Sequence, residues 1–306
     1  MSEHLWKIVL VVAMTHGFRE LGRRFGPRWG ALALGLPCST AVLLVGCGSD
    51  RGVDESVQMA GSCLIGLIGA SALPVAFAWS LGRGSGPWRS ASMGVAAYLM
   101  MAPVAALLDP PTEFAAPAVV AAILVAARLA ARTPLKDAIT GRMEPSRGRT
   151  LALRTMVPVA CLSASIALGN VLGPGGAGLM IAFPAVTLTV LVLTSMEAGS
   201  LGAIRMARAL PMANLGMVAF LLVFRLACPV IGLGLGTTYA YLASLLALGL
   251  VLAARDHRGT IASGPHRRRD SGRPGSLAGP NVRMGSRPDW PRAGRRFSPL
   301  VESFAN

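Results

Sequence analysis

The chain has 306 residues, of which 53% are hydrophobic and 14% charged, and its mean hydropathy is +0.56. This composition excludes a pair of ordinary soluble domains, because several apolar runs reach the roughly 20 residues that cross a bilayer. The formal net charge is +15, and most of the basic residues that produce it lie between the apolar runs or in the C-terminal tail.

The hydropathy pattern predicts an all-α polytopic membrane protein with about nine transmembrane helices. The first predicted span is weak because Lys7 and His16 lie within it, whereas the span at 152–170 is clearly apolar. Tryptophans fall at several span ends, as interfacial aromatic residues tend to do. In chain order the predicted spans are 5–21, 29–47, 57–80, 91–108, 114–132, 152–170, 176–195, 203–224 and 231–254.

Two segments of the chain repeat each other at an offset of 147 residues. Residues 21–52 and 168–199 align without a gap and share the pairs Gly26/Gly173, Pro27/Pro174, Pro37/Pro184 and Thr40/Thr187. The triplet Ala-Tyr-Leu at 97–99 recurs at 240–242 after a four-residue deletion. A repeat of this length predicts that the protein is built from two related units.

The charge pattern predicts that the two units enter the membrane in opposite senses. With the N-terminus outside, the basic clusters at 19–28, 83–89, 128–154 and 205–208 all lie in the cytoplasm, and only Lys7, Arg51 and Arg225 lie outside. The Arg-rich turn of the first copy then becomes an uncharged outer turn in the second. We therefore predict two inverted-topology four-helix repeats and a connecting helix, with the N-terminus out and the C-terminus in.

This interpretation divides the chain into four regions. They are a first membrane repeat at 1–109, a connecting helix with a polar cytoplasmic linker at 110–150, a second membrane repeat at 151–254 and a basic tail at 255–306. The tail is rich in Gly, Pro, Ser and Arg and is predicted to be disordered. Its cluster Arg267, Arg268 and Arg269 is a candidate contact for anionic lipid headgroups, although a purely solvated tail is the simpler interpretation. Specific nucleic-acid binding is not predicted.

The candidate site lies where each half carries a Gly/Pro-interrupted apolar segment. Pro37 with Thr40 and Pro184 with Thr187 form two Pro-x-x-Thr turns at matching positions. Proline removes a backbone donor, and the threonine hydroxyl lies near the same face. The two turns could line a solute path between the halves, or they could be a pair of kinked helices packed through small residues.

Polar residues inside predicted spans are further candidates because they are costly in lipid. Gln58 and Asn214 are predicted to line the path, with an interhelical hydrogen bond as the alternative for Asn214. Arg205 and Arg208 lie near a cytoplasmic end, where they could extend to the surface. Asp50 and Glu197 each precede a glycine by two positions, which favours turn chemistry over proton coupling.

The sequence contains no recognised catalytic, nucleotide-binding or metal-binding motif. The four histidines are scattered, and the five cysteines form no CxxC pair. We therefore predict no cofactor, no metal site and no enzymatic activity, with a membrane-embedded enzyme kept as a third class.

The stretch 30–55, with its Leu-Pro, its apolar run and the sequence Gly-Ser-Asp-Arg-Gly-Val-Asp-Glu at 48–55, resembles the GlpM family of small four-helix bacterial inner-membrane proteins. The resemblance covers roughly residues 5–108, and the second half only through the internal repeat. It implies a fused pair of four-helix units in a bacterial inner membrane, and it implies little about mechanism.

The leading functional prediction is a permease or transporter-like protein for a small solute that the sequence does not identify. The alternative is a non-transporting scaffold or regulator of an envelope assembly complex, for example in polysaccharide production. The predicted partners are the lipid bilayer and anionic headgroups, and assembly as a homodimer or in a larger membrane complex stays open.

Overall fold

A computed structural model describes residues 35–107, 112–133 and 173–262, together with the single positions Gly17, Arg24 and Val171. Within these residues every regular element is a helix. The helices are α1 (Cys38–Arg51), α2 (Val53–Gly82), α3 (Pro87–Leu107), α4 (Thr112–Ala131), α5 (Ala185–Glu197), α6 (Gly199–Ile231) and α7 (Leu233–Ala262). A further helical segment at 173–182 leads into α5. The chain divides into two units at Gly259, and all contacts described below belong to the first.

Six helical stretches of the described residues are long and apolar enough to cross a membrane. The protein is therefore an integral, multi-pass membrane protein, which confirms the predicted all-α membrane class. These stretches are Val53–Gly82, Pro87–Leu107, Phe114–Ala131, Gly173–Glu197, Gly199–Ile231 and Leu233–Ala254.

The six stretches coincide with six of the nine predicted spans, those beginning at 57, 91, 114, 176, 203 and 231. The predicted span 5–21, apart from Gly17, and the span 152–170 lie outside the described residues, and the span 29–47 is described only from residue 35. From there the chain forms a break and then the 14-residue helix α1. The total of nine helices and the inverted repeat both stay predictions.

Helix α2 lies at the centre of the bundle. It packs against α1, α3, α4 and α6, while α5 packs against α6 and α3. Large side chains of α2 such as Leu64, Leu73 and Phe77 are completely buried. By contrast, α7 exposes Leu242, Leu246 and other apolar side chains, which are suited to contact with lipid tails.

Helices α2 and α6 run antiparallel. The guanidinium of Arg225, late in α6, lies beside Gly61, early in α2, and Asn214 bonds to Ser71 further along α2. The first residues of the two long helices therefore lie at opposite ends of the bundle.

Two glycines at matching positions connect the short helices to the long ones. Gly52 joins α1 to α2 with φ 102°, and Gly199 begins α6 after α5 with φ 80°. Both conformations favour glycine because a Cβ would be strained there. Asp50 and Glu197 lie two residues earlier, at the helix ends. At the first joint Arg51 Nη1 donates to Glu55 Oε1 at 2.8 Å, and this hydrogen bond raises the pKa of Arg51.

Candidate functional site

The two predicted helix breaks have the same local structure. Pro37 (φ −78°, ψ 34°) precedes α1, and Pro184 (φ −84°, ψ 62°) precedes α5. In the first break Cys38 N donates to Leu36 O at 2.8 Å, and in the second Ala185 N donates to Phe183 O at 2.9 Å. A bond that spans only two residues, with dihedrals in this range, is typical of an inverse γ-turn centred on the proline.

Regular helix resumes in the same way after both turns. The carbonyl of Pro37 accepts from Ala41 N at 2.7 Å, and the carbonyl of Pro184 accepts from Leu188 N at 2.9 Å. Because proline has no N–H, each position lacks one bond of the helical ladder. Other prolines of the chain, such as Pro74 and Pro211, lie inside continuous helices, so the γ-turn is a property of these two positions and not of proline alone. The hydrogen bonds of the two breaks correspond residue by residue at the offset of 147.

The packing around the breaks repeats at the same offset. A Cβ placed on Gly35, before the first break, would lie 2.5 Å from the carbonyl oxygen of Ala213 in α6. A Cβ placed on Gly66 in α2 would lie 2.5 Å from Cβ of Ala182, before the second break. At the offset of 147, Gly35 is equivalent to Ala182 and Gly66 is equivalent to Ala213. The two contacts therefore join equivalent pairs of residues in the two halves. Each break therefore packs closely against the long helix of the other half.

Tyr98 of α3 satisfies a backbone group that the second break leaves without its helical partner. Phe183 N donates to Met180 O at 3.1 Å, so the carbonyl of Leu179 loses the amide that would bind it in a regular helix. The Tyr98 hydroxyl donates to that carbonyl instead. The Tyr98 ring also packs edge-on against Phe183, with ring centroids 5.0 Å apart.

Tyr241 of α7 makes a related contact with the first break. Its side chain lies near that of Cys38, the first residue after Pro37. Its ring packs against Phe220 with centroids 5.2 Å apart. Tyr98 and Tyr241 thus each lie against the break of the other half. Sequence reasoning did not include either tyrosine in the site, although the repeated Ala-Tyr-Leu triplet was a signal for both.

The structure places Thr40 on α1 and Thr187 on α5, and the breaks that precede these helices pack against the long helices of the opposite halves. Pro37 and Thr40 are buried, with Thr40 only 2% exposed, whereas Pro184 and Thr187 are half-buried. The first turn lies beside α6 and the second beside α2. The helices that carry the two threonines pack against α2 and α6 respectively, so the threonines do not share one loop.

Of the two predicted polar residues, Asn214 lies beside the first break, whereas Gln58 has an exposed side chain. Asn214 Nδ2 donates to Oγ of the buried Ser71 at 3.0 Å, and the neighbouring Ala213 is the residue on which the first break packs. Gln58 is exposed near the start of α2, where its backbone carbonyl accepts a hydrogen bond from the Ser62 hydroxyl. Arg267, Arg268 and Arg269 lie outside the described residues.

Within the helices that the structure describes, no three His, Cys, Asp or Glu side chains are grouped as a metal site requires. Comparison of the chain with protein-family models, curated proteins and solved structures found no match. The resemblance to GlpM-like proteins accordingly stays a prediction.

Proposed function

We propose that the chain consists of two inverted-topology four-helix repeats joined by a connecting helix. The observation that supports this is the correspondence at 147 residues, which extends from sequence to the γ-turns and to the reciprocal contacts Gly35–Ala213 and Ala182–Gly66. The antiparallel α2 and α6 are the equivalent long helices of the two halves. Antiparallel equivalents are what an axis in the membrane plane generates.

Within this architecture, we propose a permease-like function for a small solute. Discontinuous helices at a repeat interface are where transporters of this kind form their sites, because broken backbone can offer polar groups within the membrane. Thr40, Thr187 and the Asn214–Ser71 pair are the polar groups beside the breaks. The solute would pass along the α2–α6 pair as the two breaks shift alternately against it.

The same proposal places the protein in a bacterial inner membrane with its N-terminus out and its C-terminus in. Arg208 contacts Thr133, so the start of α6 and the end of α4 lie at one end of the bundle. That end carries Arg128, Arg132 and Arg205 and is therefore assigned to the cytoplasm.

Thiol accessibility tests the proposal without knowledge of the solute. Thr40→Cys and Thr187→Cys are made in a chain whose native cysteines are replaced, and each is exposed to a membrane-impermeant thiol reagent from each side. A permease requires Thr40→Cys to react in a fraction of the molecules, although Thr40 is 2% exposed in this conformation. Ser90→Cys, at a residue equally buried near a helix end, is the control.

No reaction of Thr40→Cys from either side, with Thr187→Cys also inert, would contradict the permease. In liposomes loaded with a panel of small solutes, Thr40→Val and Thr187→Val should reduce the flux of whichever solute crosses. Unchanged flux would remove these two residues from the path.

A second candidate is a membrane scaffold or regulator that does not transport. The close contacts at Gly35 and Gly66, which leave no room for a methyl group, favour this function because they fill the seam between the halves. Deletion of residues 256–306 separates the two candidates. A scaffold that uses its tail loses its partner while the membrane core stays folded, whereas a permease retains solute flux.

A further inference from the structure

A side chain of α6 contacts the backbone that follows the end of α4. Thr133 follows α4 and is only 4% exposed. Arg208, in the third turn of α6, is half-buried, and its Nη2 donates to the carbonyl oxygen of Thr133 at 2.5 Å. This hydrogen bond fixes the guanidinium group against the last turn of α4.

The side chains of Arg208 and Thr133 each contain a buried polar atom that has no hydrogen-bond partner among the described residues. In the part of the chain that the structure describes, Nε of Arg208 and Oγ1 of Thr133 are both shielded from solvent and both unpaired. A buried N–H on a charged group that lacks an acceptor is strongly unfavourable, and such groups are rare in native proteins. We therefore expect a hydrogen-bond acceptor that binds both the Arg208 guanidinium and the Thr133 hydroxyl.

The stretches of chain near this contact contain no carboxylate that could serve as the acceptor. Residues 114–133, 199–231 and 60–82 include no Asp or Glu. Glu113 lies at the opposite end of α4, and Glu197 precedes Arg208 by eleven residues, about 16 Å of helix. Three exposed arginines, Arg128, Arg132 and Arg205, carry further positive charge along the same stretches of α4 and α6. The counter-ion is therefore expected to come from outside the bundle.

We propose that Arg208 and Thr133 bind a phosphate oxyanion. The phosphate would accept from Arg208 Nε and from the Thr133 hydroxyl, two donors of the kind that phosphate sites use. Both atoms are shielded in the conformation described, so binding requires surrounding side chains to move and uncover them. Its charge is further balanced by the exposed arginines around the site. The phosphate belongs either to an anionic lipid headgroup or to a soluble phosphate compound, and the site does not depend on the permease function.

Two probes of the full-length protein distinguish these sources. In lipid-free detergent, the unfolding temperature is measured against the concentration of inorganic phosphate. In nanodiscs that contain phosphatidylglycerol, tightly bound lipid molecules are counted by native mass spectrometry. Arg208→Lys, which lacks Nε, and Thr133→Val, which lacks the hydroxyl, should each weaken binding about tenfold, the equivalent of one charge-assisted hydrogen bond.

Thr133→Ser and Arg205→Lys are the matched controls. Thr133→Ser keeps the hydroxyl, and Arg205→Lys keeps the charge of an exposed neighbour, so both should bind like the wild type. A tenfold loss of lipid alone supports the headgroup, and a loss of both probes supports a soluble phosphate compound. The proposal is wrong if neither probe responds to the site variants, or if Arg205→Lys weakens binding as much as Arg208→Lys.

One further variant tests whether the chain supplies the acceptor itself. Asp137 lies four residues after Thr133 in the sequence. If phosphate and lipid bind only after Asp137→Asn, the acceptor is a carboxylate of this protein and the proposal is overturned. Binding that Asp137→Asn leaves unchanged supports the external phosphate.

Discussion

At the scale of single residues, the candidate site is determined by what proline and glycine do to the backbone. Pro184 interrupts the helical ladder, and the interruption leaves the carbonyl of Leu179 without its usual amide. Within a membrane such a group needs another donor, which Tyr98 provides. A local feature of the sequence thus produces a contact between helices that are distant in the chain.

Replacing this tyrosine should destabilise the protein more than replacing an exposed one. Tyr98→Phe keeps the ring against Phe183 but removes the donor to Leu179, so we expect a loss of about 1 kcal/mol in unfolding free energy. The matched control is Tyr239→Phe, since Tyr239 is 55% exposed. Equal stability of the two variants in detergent unfolding would show that the hydroxyl of Tyr98 is not needed.

The joint between α1 and α2 gives a second test at this scale. Gly52 has φ 102° and an added Cβ would meet nothing within 4 Å, so Gly52→Ala introduces backbone strain alone. With ψ 158°, this conformation is one that only glycine adopts readily, and we expect a cost of about 1–3 kcal/mol. Gly249→Ala also adds its methyl to open space, but in a helix, and should be neutral or slightly stabilising. A neutral Gly52→Ala would mean that the joint does not hold this conformation.

At the scale of elements, the reciprocal contacts of the breaks make a quantitative prediction. Gly35→Ala and Gly66→Ala each force a methyl group into a contact of 2.5 Å with the other half. Each should cost about 1–3 kcal/mol, and the two costs should be similar because the contacts are equivalent. Gly175→Ala is the control, since its Cβ would lie at an ordinary 3.8 Å from Ser62 Oγ. Thermal unfolding in detergent measures all three, and a neutral Gly66→Ala would contradict the close packing.

The sequence predicts the helices and breaks of this protein better than it predicts the contacts between them. Hydropathy alone locates the six apolar stretches, and Pro37 and Pro184 mark the breaks. The offset of 147 predicts that the breaks are equivalent. Which helix each break contacts is decided by close approach between small residues such as Gly35 and Ala213, and one sequence of an Ala- and Gly-rich chain does not identify such pairs.

The predicted polar residues show the same limit. Asn214 bonds to Ser71 across the helix pair and is next to Ala213, on which a break packs, whereas Gln58, equally polar, is exposed near the start of α2. Hydropathy gives the depth of a residue but not the face of the helix on which it lies. For the same reason the buried pairing of Arg208 with Thr133 was not predicted, since an arginine near a helix end is usually expected to reach the surface.

At the scale of the whole molecule, the central claim is that the two halves are inverted copies. Arg51 and Ala198 are equivalent at the offset of 147, both are exposed, and they precede the antiparallel helices α2 and α6. Inversion therefore requires them to lie on opposite sides of the membrane. Two copies in the same orientation would place them on the same side.

The most direct test is to label these two positions from each side. Arg51→Cys and Ala198→Cys are made separately in a chain without native cysteines and treated with an impermeant maleimide in spheroplasts and in inside-out vesicles. We predict that Arg51→Cys reacts in spheroplasts and Ala198→Cys only in inside-out vesicles. Labelling of both positions from the same side would contradict the inverted repeat, and with it the equivalence of the two breaks.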